Sequence, residues 1–312
     1  MDVSSALSLF QTAAELGLIS SLTVLSLFLS YSMLNVCDLS TDGCFTLGAV
    51  VGAMVAASGH PFLSIPAAMC AGILSGFITA FLQTKMGIDS LLAGIIVNTG
   101  LYSINIAVMR NATLVNLNFS ETIFTKLEAV LEGTPLAGQY KLIIALCAVI
   151  LVVLFLALFL RTNLGLALRA TGNNPDMVRS SSVNTATITI IGLCVSNSFT
   201  ALSGCLLAQS NGSANIDMGS GMVTIALASL LIGSILFTKR KSTAVRAVCA
   251  VAGALIFRLV YTLALRLHMP AYMLKLVSSV IVIIAISAPY LKKQLPKLKR
   301  RFELRKKEGA KV

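Results

Sequence analysis

Seven polar side chains fall inside or beside strongly apolar runs of this 312-residue chain: Asn35, Asp38, Asp42, Asn98, Asn105, Asn197 and Asp217. Such groups are costly in hydrocarbon unless they face a cavity or a partner, so they are candidates for the path of a polar solute or an ion. Their other chemistry is structural. An amide can bond between helices, and Asp38 and Asp42 adjoin a short apolar run whose positive N-terminal end they could cap. Arg258, inside a later run, calls for a carboxylate or backbone carbonyls, while Lys275, near the end of another, can snorkel outward. Covalent and metal chemistry have no such candidates. There is no Walker A pattern and no Ser/His/Asp constellation in a plausible context. The seven cysteines are scattered through apolar segments without a CxxC, as small hydrophobes would be. His60 and His268 sit in expected loops, far from other ligands. No metal or cofactor is therefore expected on this chain, and any ATP with its Mg must bind to another.

A second group of residues suits docking. Arg161–Asn184, RTNLGLALRATGNNPDMVRSSSVN, is the longest polar interruption between two apolar segments, and it holds three arginines, Arg161, Arg169 and Arg179. Asn174-Pro175-Asp176 reads as a helix start: Asn accepts from a free backbone N–H, Pro fixes φ at the first position, and Asp suits the dipole. This helix is expected to run about two turns, from Pro175 to Ser182, because the serine run and Asn184 are poor helix formers. A short charged helix held between two spans is placed to dock on a soluble partner. An ordinary polar loop is the plainer reading.

The elements that must position both groups are membrane spans. The chain is 56% hydrophobic and 12% charged, with a mean hydropathy of +0.89 and no Trp. A soluble domain would be about 25% charged, so an all-α polytopic membrane protein is expected. Nine apolar segments can be read: Ala13–Leu34, Gly43–Ser58, Phe62–Gln83, Ser90–Met109, Lys141–Leu160, Thr185–Gln209, Met222–Phe237, Ala244–Leu265 and Ala271–Pro289. The second and seventh are short of the roughly 20 residues that a span needs. Each follows a Gly/Asp/Ser-rich stretch, so irregular chain sheltered inside the membrane is expected there.

Charge sets the direction. The tail Leu291–Val312 holds ten Lys/Arg against Glu303 and Glu308, which is +8 of the net +12. A basic segment next to a span belongs on the cytoplasmic side, beside anionic headgroups. No aromatic or Gly-rich recognition pattern accompanies it, so nucleic acid is not the expected partner. With an odd number of spans the N-terminus lies outside, in keeping with the absence of Lys/Arg from Met1–Gln11, which also denies it the n-region of a cleavable signal. Lys85, the arginines of 161–184 and Lys239-Arg240-Lys241 then face inside. The expected organisation is a short outer segment 1–12, a transmembrane domain 13–290 and a basic cytoplasmic tail 291–312.

The transmembrane domain also repeats itself. Val36-Cys37-Asp38-Leu39-Ser40-Thr41-Asp42-Gly43 precedes one short span, and Asn215-Ile216-Asp217-Met218-Gly219-Ser220-Gly221 precedes the other. Asp38 and Asp217 lie five spans apart, and an odd offset inverts one half against the other. The first repeat would cover about 13–110, the connecting span about 141–160, the polar segment 161–184 and the second repeat about 185–290. Inverted repeats with discontinuous helices near the midplane are a recurrent transporter architecture. Gly48/Gly52 and Gly72/Gly76 add the small-xxx-small spacing that lets helices approach closely.

Gly165-Leu166-Ala167-Leu168-Arg169-Ala170-Thr171-Gly172-Asn173-Asn174-Pro175 resembles the G-x-x-x-R-A-x-G-x-N-P stretch of ABC-importer permeases of the branched-chain amino acid/ribose class. Asp38-Leu39-Ser40-Thr41-Asp42-Gly43, Leu91-Leu92-Ala93-Gly94-Ile95 and Asn197 through Gly221 are similar to one sub-group, the permeases of tryptophan/tyrosine-type ABC importers. The likeness runs from about Leu16 to Pro289. It implies a type II (vitamin B12-importer-like) permease in a bacterial cell membrane, acting as a homodimer with the pathway at or near the subunit interface. Two copies of an ABC ATPase subunit would sit below and an extracellular substrate-binding (lipo)protein above, docked on the long outer loop Asn111–Gln139. The coupling segment would comprise Arg169, Ala170, Thr171, Gly172, Asn173, Asn174, Pro175, Asp176 and Arg179, of which Thr171 and Asn173 occupy variable positions of the motif. The solute would be an amino acid, an aromatic one favoured. The rival reading is an ion-coupled secondary transporter using Asp38, Asp42 or Asp217; an intramembrane enzyme has no supporting residues.

Overall fold

The computed structural model describes residues 3–118, 120–131, 137–236 and 242–266, and beyond them 276, 279–284 and 287. Helix α1 (Val3–Leu27) continues into a π-helical turn, Phe28–Met33, and the chain then stays irregular until α2 (Thr41–Ala57). Helices α3 (Ser64–Thr84) and α4 (Ser90–Val108) follow, then strand β1 (Leu114–Asn116), α5 (Ile123–Leu131) and a 3-10 turn, Ala137–Gln139. Helix α6 (Tyr140–Phe159) leads to α7 (Asn163–Asn173) and α8 (Pro175–Ser180). The rest is α9 (Thr185–Asn211), β2 (Ser213–Asn215), α10 (Met222–Leu236) and α11 (Thr243–Arg266).

Among the described residues six helices are long and apolar enough to cross a membrane: Leu9–Met33, Ser64–Thr84, Ser90–Val108, Tyr140–Phe159, Thr185–Asn211 and Thr243–Ala264. Thr41–Ala57 and Met222–Ile235 are shorter apolar helices, at the second and seventh expected segments. Irregular chain precedes each, 34–40 before α2 and the stretch after β2 before α10. Most of the ninth expected segment, the basic tail, Lys239-Arg240-Lys241, His268 and Lys275 lie outside the described residues.

Helix α9 is the axis of the bundle, and its small and polar residues explain why. Gly48 and Gly52 of α2 lie on Ala201 and Cys205 of α9, and Gly72 and Gly76 of α3 lie on Asn197 and Leu193. A Cβ at Gly48 would stand 2.1 Å from the Ala201 carbonyl oxygen, so only glycine permits this approach. The polar residues of α9 are satisfied across the seam with α1. Ser196 and Thr200 bond to Ser26 Oγ at 2.8 and 2.7 Å, and Ser203 Oγ donates to the Ile19 carbonyl at 2.7 Å. Lipid tails give helices no hydrophobic reason to associate, so close packing and such bonds must hold the seam.

Two stretches expected as loops are ordered. The resembling segment is helical through Asn173: Thr162 accepts from Gly165 N at 3.3 Å as the N-cap of α7, a start signal that the arginine count obscured. The long connection contains β1 and α5. β1 pairs antiparallel with β2, Leu114 opposite Asn215, and Gln209 Oε1 accepts from Ile123 N at 3.0 Å at the head of α5.

Candidate functional site

Halfway along α4, a polar recess of about 340 Å³ opens between three elements. The first turns of α2 supply Asp42, Gly43 and Thr46; α4 supplies Asn98, Thr99, Tyr102 and Asn105; the lead-in to α10 supplies Ile216, Asp217 and Ser220. Residues 98, 102 and 105 share one helical face, which is how α4 turns three polar groups the same way.

The recess exists because two short helices begin against one another. Asp42 Oδ2 accepts from Gly221 N at 3.0 Å, and Oδ1 from Val223 N at 2.8 Å. Thr46 Oγ1 accepts from Gly219 N at 3.1 Å, and a Cβ at Gly219 would stand 2.0 Å from the Asp42 carbonyl oxygen. Asp42 therefore caps α10, across the molecule, rather than its own helix α2 as its position suggested. Helical side chains lean back toward the N-terminus, and the donors waiting there are the free N–H groups of α10. The residues joined, Asp42 and Gly221, are separated by 179 positions, the spacing of Asp38 and Asp217.

Asp38 does act at the start of α2. It is 1% exposed, and its Oδ1 accepts from Ser40 N at 2.8 Å and from Ser40 Oγ at 2.6 Å. Its Oδ2 accepts from Asn197 Nδ2 at 2.9 Å. The pathway candidates thus separate: Asp42, Asn98, Asn105 and Asp217 meet in the recess, Asp38 before α2 and Asn197 of α9 form a buried pair, and Asn35 stands apart. Asn35 is exposed just after the π-turn with φ 57°. Thr46, Tyr102 and Ser220 also line the recess. Thr46 and Tyr102 could have been found from their i+4 spacing to Asp42 and Asn98. Arg258 departs from expectation: it donates from Nε to Ser20 Oγ at 3.3 Å and lies 5.7 Å from the Tyr261 ring centroid, with no carboxylate in reach among the described residues.

The second site is the end formed by α7 and α8. Asn174 Oδ1 accepts from Asp176 N and Met177 N at 3.1 Å each, with Pro175 at the first position, so α8 starts as expected. It ends at Ser180, earlier than expected, since Ser182 already has φ 60°. Asn173, Asn174, Pro175, Asp176 and Arg179 face outward with Met177, and only Val178 of α8 is buried. The Asp176–Arg179 pair at 3.5 Å is fully at the surface. The remaining candidates pack inward. Arg169 Nη1 donates to Thr243 Oγ1 at 3.1 Å on α11, Ala170 is half-buried and Thr171 is buried. Gly172 rests on the π-turn, where a Cβ would stand 2.1 Å from the Met33 carbonyl oxygen. Arg246 ties α11 to the same turn, with Nη2 2.9 Å from Ser32 Oγ and its guanidinium 5.8 Å from the Phe28 ring centroid. Helix α7, which carries α8 at its end, is thus seated on the turn that leads, through Asp38, to Asp42 and the recess.

Among the described residues no group of three His, Cys, Asp or Glu side chains could hold a metal ion. At the end opposite α8, Lys126 pairs with Glu121 at 3.0 Å and lies 5.9 Å from the ring centroid of the exposed Phe62.

Residues 9–286 match the family model described as "Branched-chain amino acid transport system / permease component". The chain is 32% identical over 283 residues to a "Tyrosine transport system permease protein" of Clostridioides difficile (strain R20291), covering 90% of this chain and 91% of that protein. It is also 32% identical over 280 residues to an uncharacterized protein of Rickettsia prowazekii (strain Madrid E), covering 89% and 96%. No solved structure matches.

Proposed function

Since the chain belongs to the family of branched-chain amino acid transport system permeases, we propose that it is the membrane subunit of an ATP-binding cassette importer. Its solute is an amino acid, an aromatic one favoured by the similarity to a tyrosine transport system permease. The chain works as a homodimer in a bacterial cell membrane, with its N-terminus outside and its basic tail in the cytoplasm. A separate ATPase binds ATP and Mg and docks on α8. A substrate-binding protein docks at the opposite end, on α5 and the loop that carries Phe62. The architecture is that of nine spans in two inverted repeats.

The observation that carries this reading is the α7–α8 unit. Its outer face is a capped helix bearing Asp176, Met177 and Arg179, and its inner face is fixed to the π-turn through Gly172 and to α11 through Arg169. Movement of an ATPase against α8 would be passed to the chain segment that starts α2, and from there through Asp42 to α10. Interfaces with discrete packings convert small shifts into such rearrangements.

Charge reversal on the outward face tests it. Asp176→Lys with Arg179→Glu, co-expressed with the ATPase, is expected to lose both ATPase co-purification and ATP-driven uptake while reaching the membrane at normal levels. Undiminished uptake by that variant would remove α8 from the coupling role.

A further inference from the structure

The recess between α2, α4 and the α10 lead-in has a charge balance that asks for a cation. Asp42 and Asp217 line it, and none of its lining residues is Lys, Arg or His. Two carboxylates halfway along a membrane bundle are costly without compensation. The N-termini of α2 and α10 both reach the recess, and each helix dipole contributes about +0.5 charge there. About one negative charge is left without a partner.

The hydrogen-bond inventory points the same way. Asn105 is 1% exposed; it donates from Nδ2 to the Gly43 carbonyl at 3.3 Å, and its Oδ1 has no partner among the described residues. Asp217 is exposed toward the recess, and its carboxylate carries no ion pair among the described residues. Asp42 is the better satisfied of the two carboxylates: its oxygens accept from Gly221 N and Val223 N, and the Met222 N–H also acts on it. The spare capacity is that of acceptors, which a donor-rich cation satisfies. A volume of about 340 Å³ also exceeds what a bare ion needs, and it lies at the lower end of the range for small-molecule sites, about 300–1,000 Å³.

We propose that this recess is a binding station for the ammonium group of the transported amino acid. Asp217 is the counter-charge that reaches the solute, Asp42 holds α10 and adds its negative charge beside the site, and Asn105, in the wall, offers its unbonded Oδ1 to one ammonium proton. Tyr102 and Asn98 border the space left for the rest of the solute. This inference rests on the reading of the chain as an amino-acid permease and adds which group is recognised and where.

The test is equilibrium binding of radiolabelled L-tyrosine to the purified full chain in lipid nanodiscs, without binding protein, so that the partner's own selectivity does not enter. Tyramine, which keeps the ammonium and lacks the carboxylate, is expected to compete. 3-(4-Hydroxyphenyl)propionate, which lacks the ammonium, is expected not to. Asp217→Asn, at a carboxylate that bonds to no other side chain or backbone group among the described residues, should weaken binding about tenfold or more, the value of one lost hydrogen bond to a charged group. Its thermal unfolding should match that of the wild type. Equal competition by the propionate, unchanged binding by Asp217→Asn, or no saturable binding at all would overturn the station. So would displacement of tyrosine by Na⁺ together with loss of ²²Na⁺ binding in Asp217→Asn, which would make the recess an ion site. ATP-driven uptake by the wild-type complex is measured alongside. Uptake that persists while the binding results fail sinks the station alone, and ammonium binding without ATP-driven uptake sinks the importer reading instead.

Discussion

Replacing Asp42 dissects the contact between the two short helices. Its carboxylate accepts from Gly221 N at 3.0 Å and Val223 N at 2.8 Å. Hydrogen bonds to a charged group contribute about 1.5–3 kcal/mol each, so Asp42→Ala removes about 3–6 kcal/mol, less whatever water entering the recess restores. Asp42→Asn keeps one acceptor oxygen and loses the charge, which leaves roughly half the deficit. At about 2 °C per kcal/mol for a chain this long, the alanine variant should unfold about 6–12 °C lower and the asparagine variant about midway. With the exposed Cys70 and Cys147 replaced by Ala, a thiol-reactive dye suits the assay, because Cys44 and Cys205 are 0% exposed and react only as the α2–α9 seam opens. Should both variants melt within about 1 °C of the wild type, α10 is not held by Asp42, and the route from the π-turn to the recess is broken.

Three other substitutions probe the remaining links. Gly172→Ala must move its new Cβ from 2.1 Å to at least 3.0 Å from the Met33 carbonyl oxygen; the overpacking costs about 1–3 kcal/mol, and uptake should fall while ATPase co-purification, read by pull-down, persists. Arg179→Glu alone breaks an exposed 3.5 Å ion pair and a 3.1 Å hydrogen bond from Arg179 Nε to Thr185 Oγ1, together about 1–2 kcal/mol, so the melting curve should shift by only a few degrees while co-purification drops. Asp38→Ala, Asn197→Leu and the double variant form a thermal-stability cycle around a buried 2.9 Å bond. The cycle should show a coupling of about 1–3 kcal/mol, and strict additivity would mean that the two side chains do not support each other.

What the sequence made legible followed from local rules. Apolar runs of span length gave the long helices, and Asn174-Pro175-Asp176 gave the start of α8 to the residue. The Gly48/Gly52 and Gly72/Gly76 spacings marked close packing, though not its partner: both pairs seat on one helix, α9. The failures are of another kind. Asp42 is two positions into α2, and no local pattern says that its oxygens serve a helix 179 positions on. α7 lies in a polar interruption that reads as loop, yet burial of Leu168 and the seat of Gly172 on Met33 hold it helical. In α5 the apolar spacing of Ile123, Leu127 and Leu131 is a readable helix signal within a long connection, and reciprocal Thr122–Thr125 bonds fix its start in the structure. Seven polar residues could be proposed for a pathway, but their division between a recess and the buried Asp38–Asn197 pair is a matter of tertiary packing alone.

Uptake into proteoliposomes decides the account most directly. With the chain, its ATPase and its binding protein reconstituted together, radiolabelled tyrosine should accumulate against its gradient only when ATP and Mg are present. The chain reconstituted alone should accumulate nothing under an imposed proton or sodium gradient. Uphill movement by the chain alone on either gradient would contradict a permease driven through α8 and would place the driving force in its own carboxylates.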